Sequence, residues 1–134
     1  MTFKTLAVAT SMLALAACGD SAPNADALRG ANFVANQAGV TITLAFDENE
    51  MMANGRVVNL YHGPYSIDGN KIQFGNMGAT MMMGPANAMQ VEQEYFQFLN
   101  TVETYDFANG TLTLHGANGN DITFTQVEQL PDAE

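Results

Sequence analysis

The sequence predicts a mainly β domain with one helix, in which a small curled antiparallel sheet or open barrel packs against that helix. Three observations lead to this fold class. Apolar residues alternate with polar ones in several short segments, glycine-containing turns separate those segments, and one stretch changes to the helical period. Alternating segments joined by tight turns favour antiparallel hairpins, and a single amphipathic helix can cover an open side of such a sheet.

The strands are assigned from the period of two and from the turns between them. Residues 40–46 form the clearest one, because Val40, Ile42, Leu44 and Phe46 share one face. Residues 47–55 are expected to form a loop that ends in the tight turn Asn54-Gly55. The same reasoning predicts the other strands at residues 56–62, 65–67, 71–74, 104–107, 112–115 and 122–127.

The helix is predicted over residues 87–102, where apolar side chains recur at spacings of three and four. This spacing puts them on one stripe, which we expect to dock on the sheet. Leu99 belongs to the stripe and Gln97 to the opposite, exposed face. The stripe consists of Ala88, Val91, Tyr95, Phe98, Leu99 and Val102.

The amino terminus resembles a bacterial lipoprotein signal. Lys4 precedes an apolar run over residues 6–15, and Ala16 and Ala17 then lead to Cys18, the one cysteine of the chain. We expect a signal peptide over residues 1–17, cleavage before Cys18, acylation of its thiol, and a tether over residues 18–29. Gly19 follows the cysteine where inner-membrane lipoproteins would carry Asp, which favours the outer membrane, facing the periplasm. The alternative is an ordinary signal peptide with an unrelated cysteine.

Composition limits the partners that the mature domain can bind. The 134-residue chain has 14 acidic residues against 4 Lys and Arg, a formal net charge of −10, and residues 129–134 read as an acidic tail. Such a surface repels nucleic acid and anionic lipid headgroups, so the membrane is expected to hold the protein through the lipid on Cys18. With Cys18 acylated, the domain has no disulfide and depends on its packed core.

Residues 55–65 then carry a recognisable motif, G-x-x-x-N-x-[YF]-x-G-x-Y, formed by Gly55, Asn59, Tyr61, Gly63 and Tyr65. A strand and a Thr- and Met-rich turn follow, and then a helix with a Glu-aromatic-Leu pattern. This ordered set resembles the META domain family, in its HslJ-like group, over residues 30–128. The later motif positions are Thr80, Met82, Glu94 and Leu99.

The sequence departs from the family at two kinds of position. Val58 and Gly84 stand where some members carry cysteines, and no Trp opens the domain, so Phe33 is expected to fill that space. The family includes envelope proteins linked to heat shock and to antibiotic resistance. The resemblance therefore implies an envelope role under stress and brings no reaction with it.

The motif residues can be interpreted as architecture. Gly55 and Gly63 allow a turn or a close approach of backbones, and Tyr61 and Tyr65 are packing residues whose hydroxyls need partners. Asn59 is unusual in a strand. We interpret it as a buried amide that bridges backbone groups across a turn, and the alternative is a ligand contact.

No catalytic, metal or cofactor site is expected from the remaining candidates. His62 and His115 lack metal-ligand spacing, and the acidic loop at residues 47–50 lacks the calcium-loop pattern. The methionines at residues 81–83 could offer soft ligands to Cu(I), but they are more simply explained by packing.

Two functions remain open at this point. The first is a non-enzymatic envelope lipoprotein that binds a protein partner or supports stress and antibiotic tolerance. The alternative is a module that holds a small apolar ligand inside the curled sheet.

Overall fold

The structure, a computed structural model, describes residues 25–130. The predicted signal peptide 1–17, Cys18 and residues 131–134 of the predicted tail lie outside that range. Within it the chain forms one α-helix, α1 (Ala86–Leu99), and two short 3-10 turns, Ala25–Ala27 and Ala117–Gly119. The strands are β1 (Asn32–Gln37), β2 (Val40–Phe46), β3 (Met52–Arg56), β4 (Leu60–Asp68), β5 (Lys71–Phe74), β6 (Gly78–Ala79), β7 (Val102–Ala108), β8 (Thr111–Gly116) and β9 (Asp121–Val127).

Eight of these strands form a closed antiparallel barrel. Their order is β3-β2-β1-β9-β8-β7-β5-β4, and pairing of β4 with β3 closes the circle. The short strand β6 is added at the edge of β4, beyond the end of β5. The predicted fold class is confirmed, and closure of the barrel removes the open sheet edge that a curled sheet would leave.

Alternating side chains of the strands fill the barrel. Phe46 packs edge-on against Phe33, with ring centroids 5.9 Å apart, and against Tyr65 at 5.0 Å. Leu44, Leu112, Leu114 and Phe124 are also fully buried. The interior is thus occupied by the protein's own side chains, as in other small barrels.

Two predictions, the loop over residues 47–55 and the single strand over residues 56–62, are wrong. Residues 52–56 are a strand rather than a loop, Asn54-Gly55 lies inside it, and the turn falls at residues 57–59. The physical reason is at Gly55, where a Cβ would lie 2.0 Å from the carbonyl oxygen of Thr43. The glycine serves close approach of two strands instead of a turn.

Three further elements differ from the prediction, and one of them is the two-residue strand β6, which was not predicted. Strand β1 was not expected, although it pairs with both β2 and β9. Helix α1 ends at Leu99 rather than at residue 102, because Asn100 and Thr101 turn the chain and Val102 begins β7. Val102 is still buried, so its apolar character is explained by the strand.

The barrel has two distinct ends. At the N-terminal end, Leu28 is fully buried and the Gly30 N–H donates to the carbonyl of Phe46 at 2.9 Å, so the packed domain begins at least at Leu28. At the helix end, α1 lies beside the turns at residues 37–40, 57–59 and 116–121. Strand β3 runs from Met52 at the N-terminal end to Arg56 at the helix end.

Candidate functional site

Asn59 lies in the turn between β3 and β4 and joins it to two distant segments. Its Oδ1 accepts hydrogen bonds from the Thr80 hydroxyl, at 2.9 Å, and from the Met82 N–H. Its Nδ2 donates to Glu92 Oε1 at 2.9 Å and to the Met82 carbonyl at 3.3 Å. The buried amide is therefore fully hydrogen-bonded, which is what a buried polar side chain requires.

Glu92 provides the buried carboxylate of this network. It projects from α1, is 6% exposed, and accepts the backbone N–H groups of Val58 at 3.0 Å and Asn59 at 2.6 Å through Oε2. Short bonds from N–H donors to a carboxylate are stronger than bonds between neutral groups. Three such donors compensate for the loss of water around the buried carboxylate, and they tie the helix to the turn.

Thr80 extends the contact between β4 and the chain that follows β6. The Thr80 N–H donates to the Leu60 carbonyl at 3.0 Å, and the Leu60 N–H donates to the Thr80 hydroxyl at 3.1 Å. One residue further along this ladder, the side chain of Asn59 bonds both backbone groups of Met82. Asn59 thus takes the place that a neighbouring strand would occupy.

The consequence is an apolar segment that is fixed in place but exposed. We call residues 79–83 the Met segment. Met81 is 93% exposed and Met83 is 87% exposed, while Met82 and Leu60 beside it are also exposed. Large apolar side chains on a soluble surface are unremarkable singly, but a contiguous group of them usually marks a contact surface.

Tyr61 and Tyr95 form a second buried pair behind this network. The Tyr61 hydroxyl donates to the Thr43 carbonyl at 2.6 Å, and the two tyrosine hydroxyls lie 2.6 Å apart. Burial, followed by the neighbouring Tyr95, raises the pKa of Tyr61, and burial likewise raises the pKa of Tyr95. Both hydroxyls stay protonated near neutral pH, which suits hydrogen bonding in the core and not proton transfer.

The remaining motif positions are scattered over the domain. Gly63 is buried, and a Cβ there would lie 2.6 Å from the Asn76 carbonyl oxygen. Tyr65 and Leu99 belong to the hydrophobic core. Glu94 is exposed on the outer side of α1, where Gln90 donates to it at 3.3 Å, so it takes no part in the Asn59 network.

Glu92 was not among the predicted site residues, whereas Glu94 was named for the helix pattern of the family. A signal for Glu92 was present. Glu92 lies four residues after Ala88, three before Tyr95 and seven before Leu99, and this spacing places it on the buried stripe of α1. A single carboxylate on an apolar stripe indicates a buried hydrogen-bonding role.

The two histidines are not brought together. His62 is exposed on β4, whereas His115 on β8 lies between two carboxylates, with Nε2 2.7 Å from Asp106 and Nδ1 3.0 Å from Asp121. The Asp106 contact, with a smaller contribution from Asp121, raises the pKa of His115 against the opposing effect of burial. Across residues 25–130, no group of three or more His, Cys, Asp or Glu side chains is arranged to hold a metal ion.

One buried hydroxyl differs from the others. The Tyr105 Oη has no hydrogen-bond partner among the residues that the structure describes. Burial raises the pKa of Tyr105, so the group remains a neutral phenol.

Among the residues that the structure describes, no helix has the length and apolar character needed to cross a membrane.

Fold and site together define a small antiparallel β-barrel domain with one helix at its end. Buried Asn59 and Glu92, together with Thr80, form a network that fixes an exposed methionine segment. The chain belongs to the META domain family, whose model matches residues 7–129. The resemblance seen in the sequence motifs is thereby confirmed at the level of the family.

Solved structures share the fold at low sequence identity. A protein from Burkholderia xenovorans, solved by NMR, is 23% identical, with a TM-score of 0.65 over 78% of this chain and 86% of its own. A second NMR structure is 18% identical, with a TM-score of 0.63 over 77% of this chain and 94% of its own. A DUF4847 family protein from Bacteroides vulgatus is 17% identical, with a TM-score of 0.51 over 66% of this chain and 60% of its own. No curated protein matches the sequence.

Proposed function

We propose that this protein is a non-enzymatic lipoprotein of the bacterial cell envelope, anchored through acylated Cys18 in the outer membrane and facing the periplasm. Its META domain would serve as a binding module for another envelope protein. The resemblance to HslJ-like proteins extends the proposal to envelope stress or antibiotic tolerance. The order of Lys4, the apolar run, Ala16-Ala17 and Cys18 supports the anchor.

The observation that carries the binding role is the Met segment. Asn59 and Thr80 fix its backbone, yet Met81 and Met83 remain exposed at 93% and 87%. A loose loop would lose conformational entropy on binding, whereas a fixed one has already lost it on folding. Methionine side chains adapt to varied apolar partners because they are unbranched and polarisable.

The position of the Met segment fits an anchored protein. Residues 18–24 can span at most about 25 Å, so the N-terminal end of the barrel stays near the bilayer. The Met segment lies at the helix end of the barrel, where Thr80 bonds to Leu60 at the start of β4. This end is opposite to the N-terminal end, which the anchor would hold near the bilayer. The apolar surface would therefore face the periplasm and its proteins.

The polar residues of the Asn59 network support a structural role rather than a chemical one. Asn59, Thr80 and Glu92 hydrogen-bond to one another and to backbone groups, which fixes the turn, the Met segment and α1 together. The filled interior similarly supports partner binding over an apolar ligand inside the barrel, because Phe33, Phe46 and Tyr65 occupy that space.

Fractionation of cells tests the anchor. The wild-type protein should appear in the outer-membrane fraction and incorporate an alkyne-labelled palmitate, while Cys18→Ser should remain unprocessed or leave the membrane. Ser21→Ala, which changes the adjoining tether but not the thiol, is the matched control and should behave as the wild type. A soluble, unlipidated wild-type protein would overturn the anchor.

Photocross-linking in intact envelopes tests the binding role. A photoreactive residue at Met81 should give a discrete cross-linked species, and the same residue at Thr123, which is exposed on β9, should not. The absence of any Met81 adduct at normal protein abundance would contradict the proposal. Stabilisation of the purified protein by fatty acids or other apolar ligands would favour the alternative of an internal binding site.

A further inference from the structure

Within residues 25–130, the Met segment has one edge whose backbone groups find no hydrogen-bond partner. Gly78 and Ala79 pair with His62 and Tyr61 of β4, and the sheet ends there. Beyond the strand, the chain stays hydrogen-bonded along the same side, since the Thr80 N–H donates to the Leu60 carbonyl and the Met82 N–H to the side-chain Oδ1 of Asn59. In an antiparallel ladder the backbone groups of alternate residues point to opposite sides of the strand.

This alternation determines which backbone N–H and C=O groups of the Met segment point away from β4. Thr80 and Met82 turn their backbone groups inward to Leu60 and Asn59, so Ala79, Met81 and Met83 turn theirs outward. Among residues 25–130, no hydrogen bond to the backbone of Met81 or Met83 is present, and both residues are almost fully exposed. The remainder of the barrel is closed, so this is an exposed strand edge on a fold that otherwise protects its edges.

We propose that this edge is an acceptor site for β-strand addition, and that its occupant is an extended, basic segment of the envelope partner. The inference rests on the proposed binding function and names its site and chemistry. The outward N–H and C=O groups of Met81 and Met83 would pair with the incoming strand, which gives affinity without dependence on sequence. The two methionine side chains would meet alternate apolar residues of that strand.

The negative net charge of the protein favours a basic partner over an acidic one. The chain carries a net charge of −10, and the exposed carboxylate of Glu94 lies in the same shallow depression as Met83 and Met89. A strand with Lys or Arg at the positions between its apolar residues would be attracted to this end of the molecule. A second copy of the chain, equally acidic, would be repelled.

Binding of a defined peptide tests the site in the purified full-length protein, held in a neutral detergent. The probe is a peptide of alternating lysine and valine, followed by the backbone amide signals of residues 79–83 in NMR spectra. We expect the signals of Ala79, Met81 and Met83 to shift and their amide exchange to slow. The same peptide with methylated backbone nitrogens should bind about tenfold more weakly or worse, since it has lost its ladder donors.

A pair of protein variants separates backbone from side-chain recognition. Met81→Pro removes one outward N–H at an edge position that tolerates proline, whereas Met81→Ala retains the N–H and shortens the side chain. Met81→Pro should weaken the peptide by about tenfold relative to Met81→Ala, with equal melting temperatures for the two variants. Should Met81→Pro unfold, the methylated peptide tests the same bond on the wild type.

Several outcomes would overturn the inference. These are shifts that avoid residues 79–83, equal binding of the methylated peptide, equal binding of a peptide of alternating glutamate and valine, or a wild-type dimer that Met81→Pro dissolves. The test needs no membrane, so it can succeed when the anchor fails. Conversely, a Met81 cross-link in intact envelopes, combined with no binding of the lysine–valine peptide at residues 79–83, would preserve the proposed function and remove only this site.

Discussion

At the scale of single residues, the side chain of Asn59 replaces a short length of β-strand. The side-chain amide of Asn is planar and carries a C=O acceptor and an NH2 donor, as a peptide bond carries C=O and N–H. It can therefore bond both backbone groups of Met82. The same amide accepts a second hydrogen bond from the Thr80 hydroxyl and donates a second one to Glu92. Such a network is valuable only when complete, because each lost partner leaves another buried group unsatisfied.

Asn59→Ala should therefore lower the free energy of unfolding by about 1–3 kcal/mol, as the groups of Met82 and Glu92 lose their partner. Chemical denaturation measures the change. Asn54→Ala, at an exposed position on β3, is the matched control and should alter stability by less than about 0.5 kcal/mol. Unchanged stability together with loss of the envelope phenotype at normal abundance would assign Asn59 to a binding surface.

Glu92 makes a sharper test, because its two oxygens both accept hydrogen bonds. In Glu92→Gln, one oxygen becomes an NH2 group that must face either two backbone N–H donors or the donor Nδ2 of Asn59. We expect a loss of about 1.5–3 kcal/mol in unfolding free energy. Glu94→Gln makes the same chemical change on the exposed face of α1 and should have little effect. Similar losses for the two variants would contradict the buried role of Glu92.

His115 should make stability depend on pH. Its pKa is raised by Asp106 and Asp121, so the folded protein holds the proton more tightly than the unfolded chain. The resulting stabilisation is fully present below the unfolded pKa of about 6.5 and is lost as pH rises through the higher folded pKa. The stability difference between the wild type and His115→Gln should thus be larger at about pH 6 than at about pH 9. A difference that grows with pH would contradict this assignment.

At the scale of elements, α1 is held to the barrel by an apolar stripe with one polar member. Val91, Tyr95 and Leu99 are buried, and the Tyr95 ring meets that of Tyr61 edge-on at 5.6 Å. The turn at residues 57–59 is fixed by the helix through Glu92. Helix and turn therefore depend on each other, and neither is expected to be stable alone at these lengths.

Leu99→Ala should leave a cavity where α1 meets the barrel and cost about 2–5 kcal/mol, because Leu99 is 1% exposed. Gln97→Ala, on the exposed face of the same helix, should change stability by less than about 0.5 kcal/mol. Thermal unfolding of both variants checks the comparison. Equal effects would mean that the buried face of the helix is assigned wrongly.

At the scale of the whole molecule, the barrel has one weak seam. Strands β5 and β7 share a single register pair, Lys71 with Thr104, supported by the Tyr105 N–H bond to the Asn70 carbonyl at 2.9 Å. By contrast, β8 pairs along its length with both β7 and β9. Opening of the barrel is therefore expected to begin between β5 and β7.

Hydrogen exchange followed by NMR tests the seam. The amide proton of Tyr105, which bonds across it, should exchange faster than that of Leu114 in the centre of β8, although both residues are fully buried. Equal protection of the two amides would show that the barrel opens as one unit.

Local sequence patterns determined much of this fold. The alternation over residues 40–46 corresponds to β2 with the same bounds. The change of period marks α1, which was predicted over residues 87–102 and spans Ala86–Leu99. These features depend on neighbours two to four residues away, so the pattern carries them. The family could be recognised for the same reason, since its motif positions keep their order along the chain.

Tertiary structure alone decided the remainder. Gly55 was assigned to a turn because Asn-Gly favours one locally, but close approach of Thr43 and the Tyr61 hydroxyl requires a glycine inside β3. Glu92, which was not predicted as a site residue, can be buried because the N–H groups of Val58 and Asn59, more than thirty residues earlier, donate to its carboxylate. The place of Gly55 inside a strand and the burial of Glu92 both depend on packing between residues far apart in sequence. Local propensity carries no information about such contacts.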